Sequence, residues 1–206
     1  DSQGFIEDVR FEVDGDSIPY VQTALSRANG ERLRPWRTVR DAFIEDGERP
    51  LPLEPDEVNW HIGRNPMPMS LERYRCVPPG GNRFDLPDHL TPNCWKNKPT
   101  GSTDLFGRLE WDKPSLTIRT EFFKPEKGRY LHPQAHRPIT HREAMRLQTF
   151  DDSLKWCGSK ISVARQVGNA VPVALAHHVA LAVKEHLEQA GHLSDGPASA
   201  RGGVAA

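Results

Sequence analysis

The hydrophobic positions of the chain change their spacing at several points. Residues 7–13 alternate hydrophobic and polar side chains, which predicts a short strand. Residues 36–46 have helical spacing, and Thr38 followed by Asp41 is a capping-box pattern that marks the start of a short helix. Prolines in residues 47–57 interrupt regular structure, and we place a boundary there.

Residues 60–136 have little helical periodicity, because closely spaced prolines keep any helix short. The best strand candidate lies within residues 107–123, where Leu116 and Ile118 alternate with polar and β-branched neighbours. This pattern predicts an irregular, mostly β subdomain with long loops.

Helical spacing returns after residue 137. Thr140 and Glu143 form a second capping-box pattern, which predicts a helix that begins after Thr140. Residues 159–166 have the composition of another short helix.

A longer helix is predicted to start at Pro172, a residue suited to the first helical turn, and to run to about Ala190. Gly191 stands at the position where helices end on a glycine. Residues 191–206 are mostly small and are predicted to be disordered. A hydrophobic stripe recurs at every fourth position of this helix, at Leu175, Val179, Val183 and Leu187.

Composition narrows the class of protein. The chain has 206 residues, is 36% hydrophobic and holds 18 Pro and 16 Gly, which fits one ordinary domain or two small ones with a modest core. Its three separated cysteines suit a reducing compartment. No signal peptide and no run of 18 apolar residues is visible. Because the chain begins with Asp, we expect a fragment, a processed product or part of something longer.

Charge is unevenly distributed. Residues 1–59 hold 7 Lys and Arg against 14 Asp and Glu, a net charge of −7. Residues 60–140 hold 13 against 8, a net charge of +5, and residues 141–206 have a net charge of +1. A basic segment can form a nucleic-acid surface. On charge alone, a solvated protein surface is the simpler interpretation.

Several common catalytic patterns are absent from the sequence, including a P-loop, a dinucleotide-binding glycine loop and a nucleophile elbow. His132, His136 and His141 are loosely spaced and have no supporting pair of cysteines. We therefore predict no metal site.

Three motifs follow one another in the C-terminal half: DKPSLTIRT at residues 112–120, RPITHREAMRLQTFDD at 137–152 and RQVGNAVP at 165–172. In this order and spacing they resemble the C-terminal part of the DNA cytosine-5 methyltransferases. Residues 112–120, called the recognition segment below, resemble a strand of the family's target-recognition region. The other two motifs resemble the family's motif nine and motif ten.

The resemblance implies an α+β fold with four parts. Residues 1–59 would be a linker at the end of the catalytic domain, and residues 60–136 would be the mostly β target-recognition subdomain. Residues 137–190 would be helices that pack back onto a doubly wound α/β methyltransferase domain, which is missing from this sequence. Residues 191–206 would be a disordered tail.

The resemblance also implies a reaction, but this sequence lacks the groups that perform it. The family flips a cytosine out of the duplex, adds a thiolate at C6 and moves the methyl group of S-adenosylmethionine to C5. The family's Gly-rich cofactor motif, Pro-Cys nucleophile and Glu-Asn-Val motif are not found here. We therefore assign no catalytic residue.

The expected partners are double-stranded DNA and a catalytic half, either in the same polypeptide or as a separate subunit, with no membrane. The expected location is the cytoplasm, at the nucleoid through DNA, as for a restriction–modification methyltransferase. The alternative is a non-catalytic DNA-binding specificity module or an inactive remnant.

Site residues are implied by their positions in these motifs. Motif ten implies that S-adenosylmethionine contacts Asn169, Ala170 and Val171. Motif nine implies a scaffold role for Arg137, Arg142 and Glu143, with DNA binding by Arg137 and Arg142 as the alternative. Phosphates need cations and base edges need planar or hydroxyl donors. On that basis the DNA-binding candidates are Arg108, Lys113, Ser115, Thr117, Arg119, Lys124 and Arg129.

Overall fold

Helices and irregular loops alternate along the chain. The computed structural model describes residues 36–45, 50–56, 58–97 and 100–191. The α-helices are α1 (Pro68–Cys76), α2 (Asn93–Lys96), α3 (His141–Leu147), α4 (Lys160–Asn169) and α5 (Val173–Gln189). A short π-helix covers Asp41–Glu45, and 3-10 turns cover Val58–Trp60, Arg83–Asp85 and Pro125–Lys127.

The prediction of a mostly β subdomain, and with it the α+β class, is wrong. Across the described ranges the structure has no strand, and β pairing is limited to isolated bridges that join Leu131 to Arg108 and to Pro138. Residues 114–119 run irregularly, and the Tyr130 hydroxyl donates a hydrogen bond to the Thr117 carbonyl at 3.0 Å. Side chains thus take the place of a neighbouring strand as partners of this backbone.

The two helix starts predicted from capping boxes are confirmed, whereas Pro172 is the N-cap of α5 and not its first helical residue. At α3 the Thr140 hydroxyl accepts from the Glu143 amide at 3.1 Å, and the Glu143 carboxylate accepts from the Thr140 amide at 2.7 Å. Thr38 and Asp41 form the same reciprocal pair. The predicted strand at 7–13 and the predicted tail beyond Gly191 lie outside the described residues.

The core forms where α3 and α4 meet the segment around residue 40. Phe43, Ile139 and Val163 are almost fully buried there, and side chains of this kind contribute about 1.5–3 kcal/mol each. A smaller cluster under α1 contains Tyr74, Val77, Leu86, Phe106 and Leu131. The core thus joins α3 and α4 to the recognition segment, which contributes Ile118.

Helix α5 presents its hydrophobic stripe to solvent. It has no buried residue, and Val179 and Val183 are each more than half exposed. It begins at Val173 with Pro172 as the N-cap, and ends before Gly191, whose φ of +72° is left-handed. Residues 160–189 are long and apolar enough to cross a membrane by length and composition alone. The break at residues 170–172 divides them into two helices.

Candidate functional site

The recognition segment and α4 meet at a glycine. A Cβ atom added to Gly168 would lie 2.3 Å from the Thr120 nitrogen and 2.4 Å from the Arg119 carbonyl carbon. Gly168 itself has helical backbone in the last turn of α4. Glycine is therefore needed at this position because two backbones touch, and not because of an unusual backbone conformation.

The residues after Gly168, which we call the 169–172 turn, carry the predicted cofactor contacts. The side chains of Asn169 and Val171 are exposed, and that of Ala170 is half-buried. The buried Gln148 side chain donates to the carbonyls of Val167 at 2.9 Å and of Ala170 at 3.3 Å. The turn is therefore a fixed surface feature next to the recognition segment.

The 169–172 turn does not enclose a pocket by itself. An open groove of about 980 Å³ lies near the start of α4, and none of the three predicted cofactor residues lines it. The groove is lined in part by Trp60, Ile62, Arg142, Leu154, Trp156 and Lys160. Among the described residues, no three His, Cys, Asp or Glu side chains are grouped so that they could hold a metal ion.

Three DNA candidates are presented on the recognition segment. Thr117 and Arg119 are exposed and Ser115 is half-buried, whereas Ile118 between them is buried. The Tyr130 hydroxyl accepts a hydrogen bond from the Arg119 amide at 3.2 Å, which fixes the backbone below the exposed guanidinium. The recognition segment thus has one outward-facing edge, which carries two hydroxyl groups and one guanidinium.

The lysine candidates are paired with carboxylates. Lys113 lies 3.0 Å from Glu110, and Lys124 forms an ion pair with Glu121. The hydrogen bond from Lys124 lowers the pKa of the Glu121 carboxyl. These pairs reduce the positive charge beside the recognition segment.

The arginine candidates Arg108 and Arg129 hold loops together. The Arg108 guanidinium is buried and donates to the carbonyls of Val77 at 2.7 Å and Ala135 at 2.8 Å. Burial lowers its pKa to about 10, so it stays charged at neutral pH. Arg129 donates to the Gly80 carbonyl at 2.8 Å. Arg108 and Arg129 each donate to several carbonyls, whereas the exposed Arg119 guanidinium has one long contact, to the Lys127 carbonyl at 3.5 Å. The exposed edge of the recognition segment is therefore the most accessible set of DNA candidates.

The motif-nine candidates Arg137 and Glu143 form a buried ion pair. Two guanidinium nitrogens of Arg137 lie 2.7 and 2.9 Å from the two carboxylate oxygens of Glu143. Burial acts to raise the pKa of Glu143, but the hydrogen bonds and charge of Arg137 outweigh it and lower that pKa. Arg137 also donates to the Leu53 carbonyl at 2.8 Å, which ties α3 to the preceding segment.

The third motif-nine candidate, Arg142, belongs to a cluster that sequence reasoning missed. The Asp152 carboxylate accepts from Arg142 at 3.1 Å and from Arg146 at 2.5 Å. Arg142 also donates to the Asn59 carbonyl at 2.6 Å. The two arginines are four residues apart and so lie on one helical face, a spacing that could have indicated a shared acidic partner.

His132 is a second group that the sequence did not single out for a structural role. Its Nδ1 accepts hydrogen bonds from the Ala135 amide at 2.9 Å and the Gln134 amide at 3.1 Å, and its ring stacks on Phe43. Burial lowers its pKa from 6.5 to about 4. The neutral imidazole is therefore the form that the fold requires.

This buried histidine predicts a loss of stability in mild acid. The unfolded chain binds the proton more readily, so the stabilisation is complete above pH 6.5 and is lost as the pH falls toward 4. We expect the free energy of unfolding to drop by about 2 kcal/mol between pH 7.5 and pH 5 through this group. Urea unfolding at both pH values measures it.

The matched variant is His132→Asn, which keeps an acceptor near the Nδ1 position and cannot titrate. Its unfolding free energy should change less over the same pH interval than that of the parent chain. An equal drop in both proteins would assign the acid sensitivity to other groups.

Comparison with known proteins identifies the family. Residues 81–185, just over half of the chain, match the family model of the C-5 cytosine-specific DNA methylases. The chain therefore belongs to the DNA cytosine-5 methyltransferase family. Enzymes of this family take their methyl group from S-adenosylmethionine.

Individual relatives agree with this assignment. The chain is 40% identical to the type II methylase M.HgiDII of Herpetosiphon aurantiacus over 159 residues, which cover 74% of this chain and 45% of the relative. It is 37% identical to the type II methyltransferase M.Eco47II of Escherichia coli over 155 residues, which cover 74% and 36%. It is 39% identical to DNA (cytosine-5)-methyltransferase 1 of Mus musculus over 110 residues, which cover 53% and 6%. The chain spans less than half the length of these curated relatives.

Proposed function

We propose that this chain supplies target recognition and one wall of the S-adenosylmethionine pocket in a DNA cytosine-5 methyltransferase of the restriction–modification kind. The observation that carries the proposal is the contact at Gly168. On one side of it lies the exposed edge of the recognition segment, and on the other lies the 169–172 turn. DNA and cofactor would thus be held at a fixed spacing by one junction.

Each segment of the chain would have its own role in the enzyme. Residues 1–59 are a linker, residues 60–136 are the recognition region, and residues 137–190 complete the catalytic domain. Arg119 would contact a phosphate, and the hydroxyls of Ser115 and Thr117 would contact base edges or phosphates. The catalytic thiolate would come from the other half of the enzyme.

The 169–172 turn fits one side of the cofactor. Asn169 has an exposed amide and Val171 an exposed apolar side chain, a combination suited to a molecule with polar groups and an aromatic base. When bound, S-adenosylmethionine supplies the methyl group. The role of the chain is to bind and orient it beside the recognition segment.

Helix α5 would dock on the catalytic domain. Its stripe includes Leu175, Val179 and Val183, each more than half exposed, and a continuous apolar face of this kind often marks an interaction site. Docking would bury this stripe and would place the 169–172 turn, immediately before α5, against that domain.

A reconstitution experiment tests the proposed function. The full chain is combined with the segment that carries the Gly-rich cofactor motif and the Pro-Cys nucleophile, either as a separate subunit or fused ahead of residue 1. We expect transfer of labelled methyl groups to duplex DNA only when both parts are present. Salt-sensitive DNA binding without methyl transfer in any combination would instead support a non-catalytic DNA-binding module.

Replacing Arg119 with alanine should weaken DNA binding and reduce its salt dependence. Loss of one phosphate contact lowers the slope of log affinity against log salt concentration by roughly 1. Fluorescence anisotropy with duplex DNA over a series of salt concentrations measures the slope. Lys184→Ala, on the exposed face of α5, is the matched control and should leave the slope unchanged. An unchanged slope for Arg119→Ala would remove this residue from the DNA contacts.

Replacing Asn169 with alanine should weaken cofactor binding in the assembled enzyme without unfolding the chain. Loss of one side-chain hydrogen bond corresponds to a decrease of roughly fivefold in affinity. Calorimetric titration with S-adenosylmethionine gives the affinity, and thermal unfolding reports on the fold. Asn65→Ala, at another exposed asparagine, is the control. Equal affinity in all three proteins would show that Asn169 does not touch the cofactor.

A further inference from the structure

Gln148 and Thr149, which directly follow α3, form hydrogen bonds with the backbone on both sides of the 169–172 turn. Upstream, the Gln148 amide donates to the carbonyls of Val167 and Ala170 at 2.9 and 3.3 Å. Downstream, the Gln148 carbonyl accepts from the Val173 amide at 3.2 Å. The last turn of α4 and the first turn of α5 are thus tied to the same residue.

Thr149 completes the support. Its hydroxyl accepts a hydrogen bond from the Ala174 amide at 2.9 Å, although the two residues are 25 positions apart. Helix α5 has no cap from its own N-cap residue, because Pro172 carries no polar side chain. Thr149 therefore caps α5 from another element.

The backbone of Thr149 indicates that this contact is specific. Its φ is +59°, a left-handed conformation that β-branched residues rarely adopt. The conformation places the hydroxyl at the start of α5, while the neighbouring Gln148 side chain reaches the end of α4. Unfavourable backbone of this kind persists where surrounding contacts fix it, and it clusters at functional sites.

We propose that Gln148 and Thr149 are positioning residues for the cofactor: they set the 169–172 turn so that Asn169 and Val171 form the pocket wall. This inference rests on the proposed function. Neither residue touches the cofactor; each acts through the backbone of the turn. The 5% exposure of Gln148 is consistent with an indirect role.

The test separates positioning from general stability by steady-state kinetics of the assembled enzyme. Thr149→Val removes the hydroxyl and keeps the shape, and Thr149→Ser restores the hydroxyl. We expect Thr149→Val to raise KM for S-adenosylmethionine roughly fivefold, the factor for one neutral hydrogen bond, with kcat and DNA affinity unchanged. Thr149→Ser should be close to the parent enzyme.

A second pair of variants keeps the test decisive if Thr149→Val does not fold. Gln148→Met removes the amide at similar volume and should raise the same KM. Gln166→Met is the matched control, because Gln166 also donates from a side-chain amide, to the Cys157 carbonyl at 3.0 Å, but does not contact the turn. A fall in kcat at unchanged KM, or a Thr149→Ser variant that behaves like Thr149→Val, would overturn the inference.

Hydrogen exchange on the full chain alone distinguishes failure of this inference from failure of the proposed function. The Ala174 amide should exchange roughly tenfold faster in Thr149→Val than in the parent chain, because its acceptor is gone. Unchanged exchange would overturn the support of the turn by Thr149, whatever the enzyme does. No methyl transfer by the parent assembly, together with faster exchange in the variant, would reject the proposed function while the contact itself stands.

Discussion

Replacing Glu143 with alanine should lower the free energy of unfolding by about 3–5 kcal/mol, the cost of leaving one member of a buried ion pair alone. The Glu143 side chain is fully buried, and both of its oxygens accept hydrogen bonds from Arg137. One of them also accepts from the Thr140 amide at the start of α3. The substitution therefore leaves a buried guanidinium without its carboxylate and the Thr140 amide without its side-chain acceptor, while the Thr140 hydroxyl can still cap α3.

Urea unfolding measures the loss of free energy, and two further variants serve as controls. Glu121→Ala removes a carboxylate paired with Lys124 at the surface, and should cost far less than Glu143→Ala because solvent screens the pair. The double variant Arg137→Ala with Glu143→Ala should cost less than the sum of the two single variants, because the second substitution removes the unpaired charge. Additive costs would mean that the two side chains do not act as a pair.

Replacing Gly168 with alanine should destabilise the chain by about 3 kcal/mol, the upper end of the usual range for an added group in a packed site. The new Cβ would lie 2.3 Å from the Thr120 nitrogen, and a backbone atom cannot rotate away as a side chain can. In a helix without this contact, the same change would stabilise by about 1 kcal/mol. The sign of the change therefore tests the contact.

Gly191→Ala is the matched control for Gly168→Ala. Gly191 has a left-handed φ of +72° and no neighbouring atom within 4 Å of an added Cβ. Its replacement should cost only about 1–2 kcal/mol, from the backbone conformation. Stabilisation by Gly168→Ala would contradict the junction between α4 and the recognition segment, and with it the main support for the proposed function.

The Arg137–Glu143 ion pair and the Gly168 contact affect function in different ways. The Arg137–Glu143 pair supports α3, whose end carries Gln148 and Thr149. The Gly168 contact sets the distance between the recognition segment and the 169–172 turn. We expect variants of the Arg137–Glu143 pair to reduce the amount of folded protein. We expect the Gly168→Ala protein that still folds to hold DNA and cofactor at the wrong distance from each other.

The two capping-box helix starts and the order of the motifs were determined by the sequence itself. A capping box depends on Thr140 and Glu143, three positions apart, so local side-chain chemistry settles it. The family could be recognised for a related reason, since the motif residues stand in a characteristic order. The match of residues 81–185 confirms that reading.

The roles of the arginines and of Gly168 were decided only by the tertiary structure. The carbonyls that bind Arg108 lie 24 to 34 residues away from it in the sequence, so no local pattern separates this arginine from a DNA-binding one. The same applies to residues 107–123, where β-branched residues predicted a strand but the Tyr130 side chain binds the Thr117 carbonyl and the Arg119 amide. β propensity reflects packing against neighbours rather than a fixed preference of the backbone, and those neighbours are known only once the chain has folded.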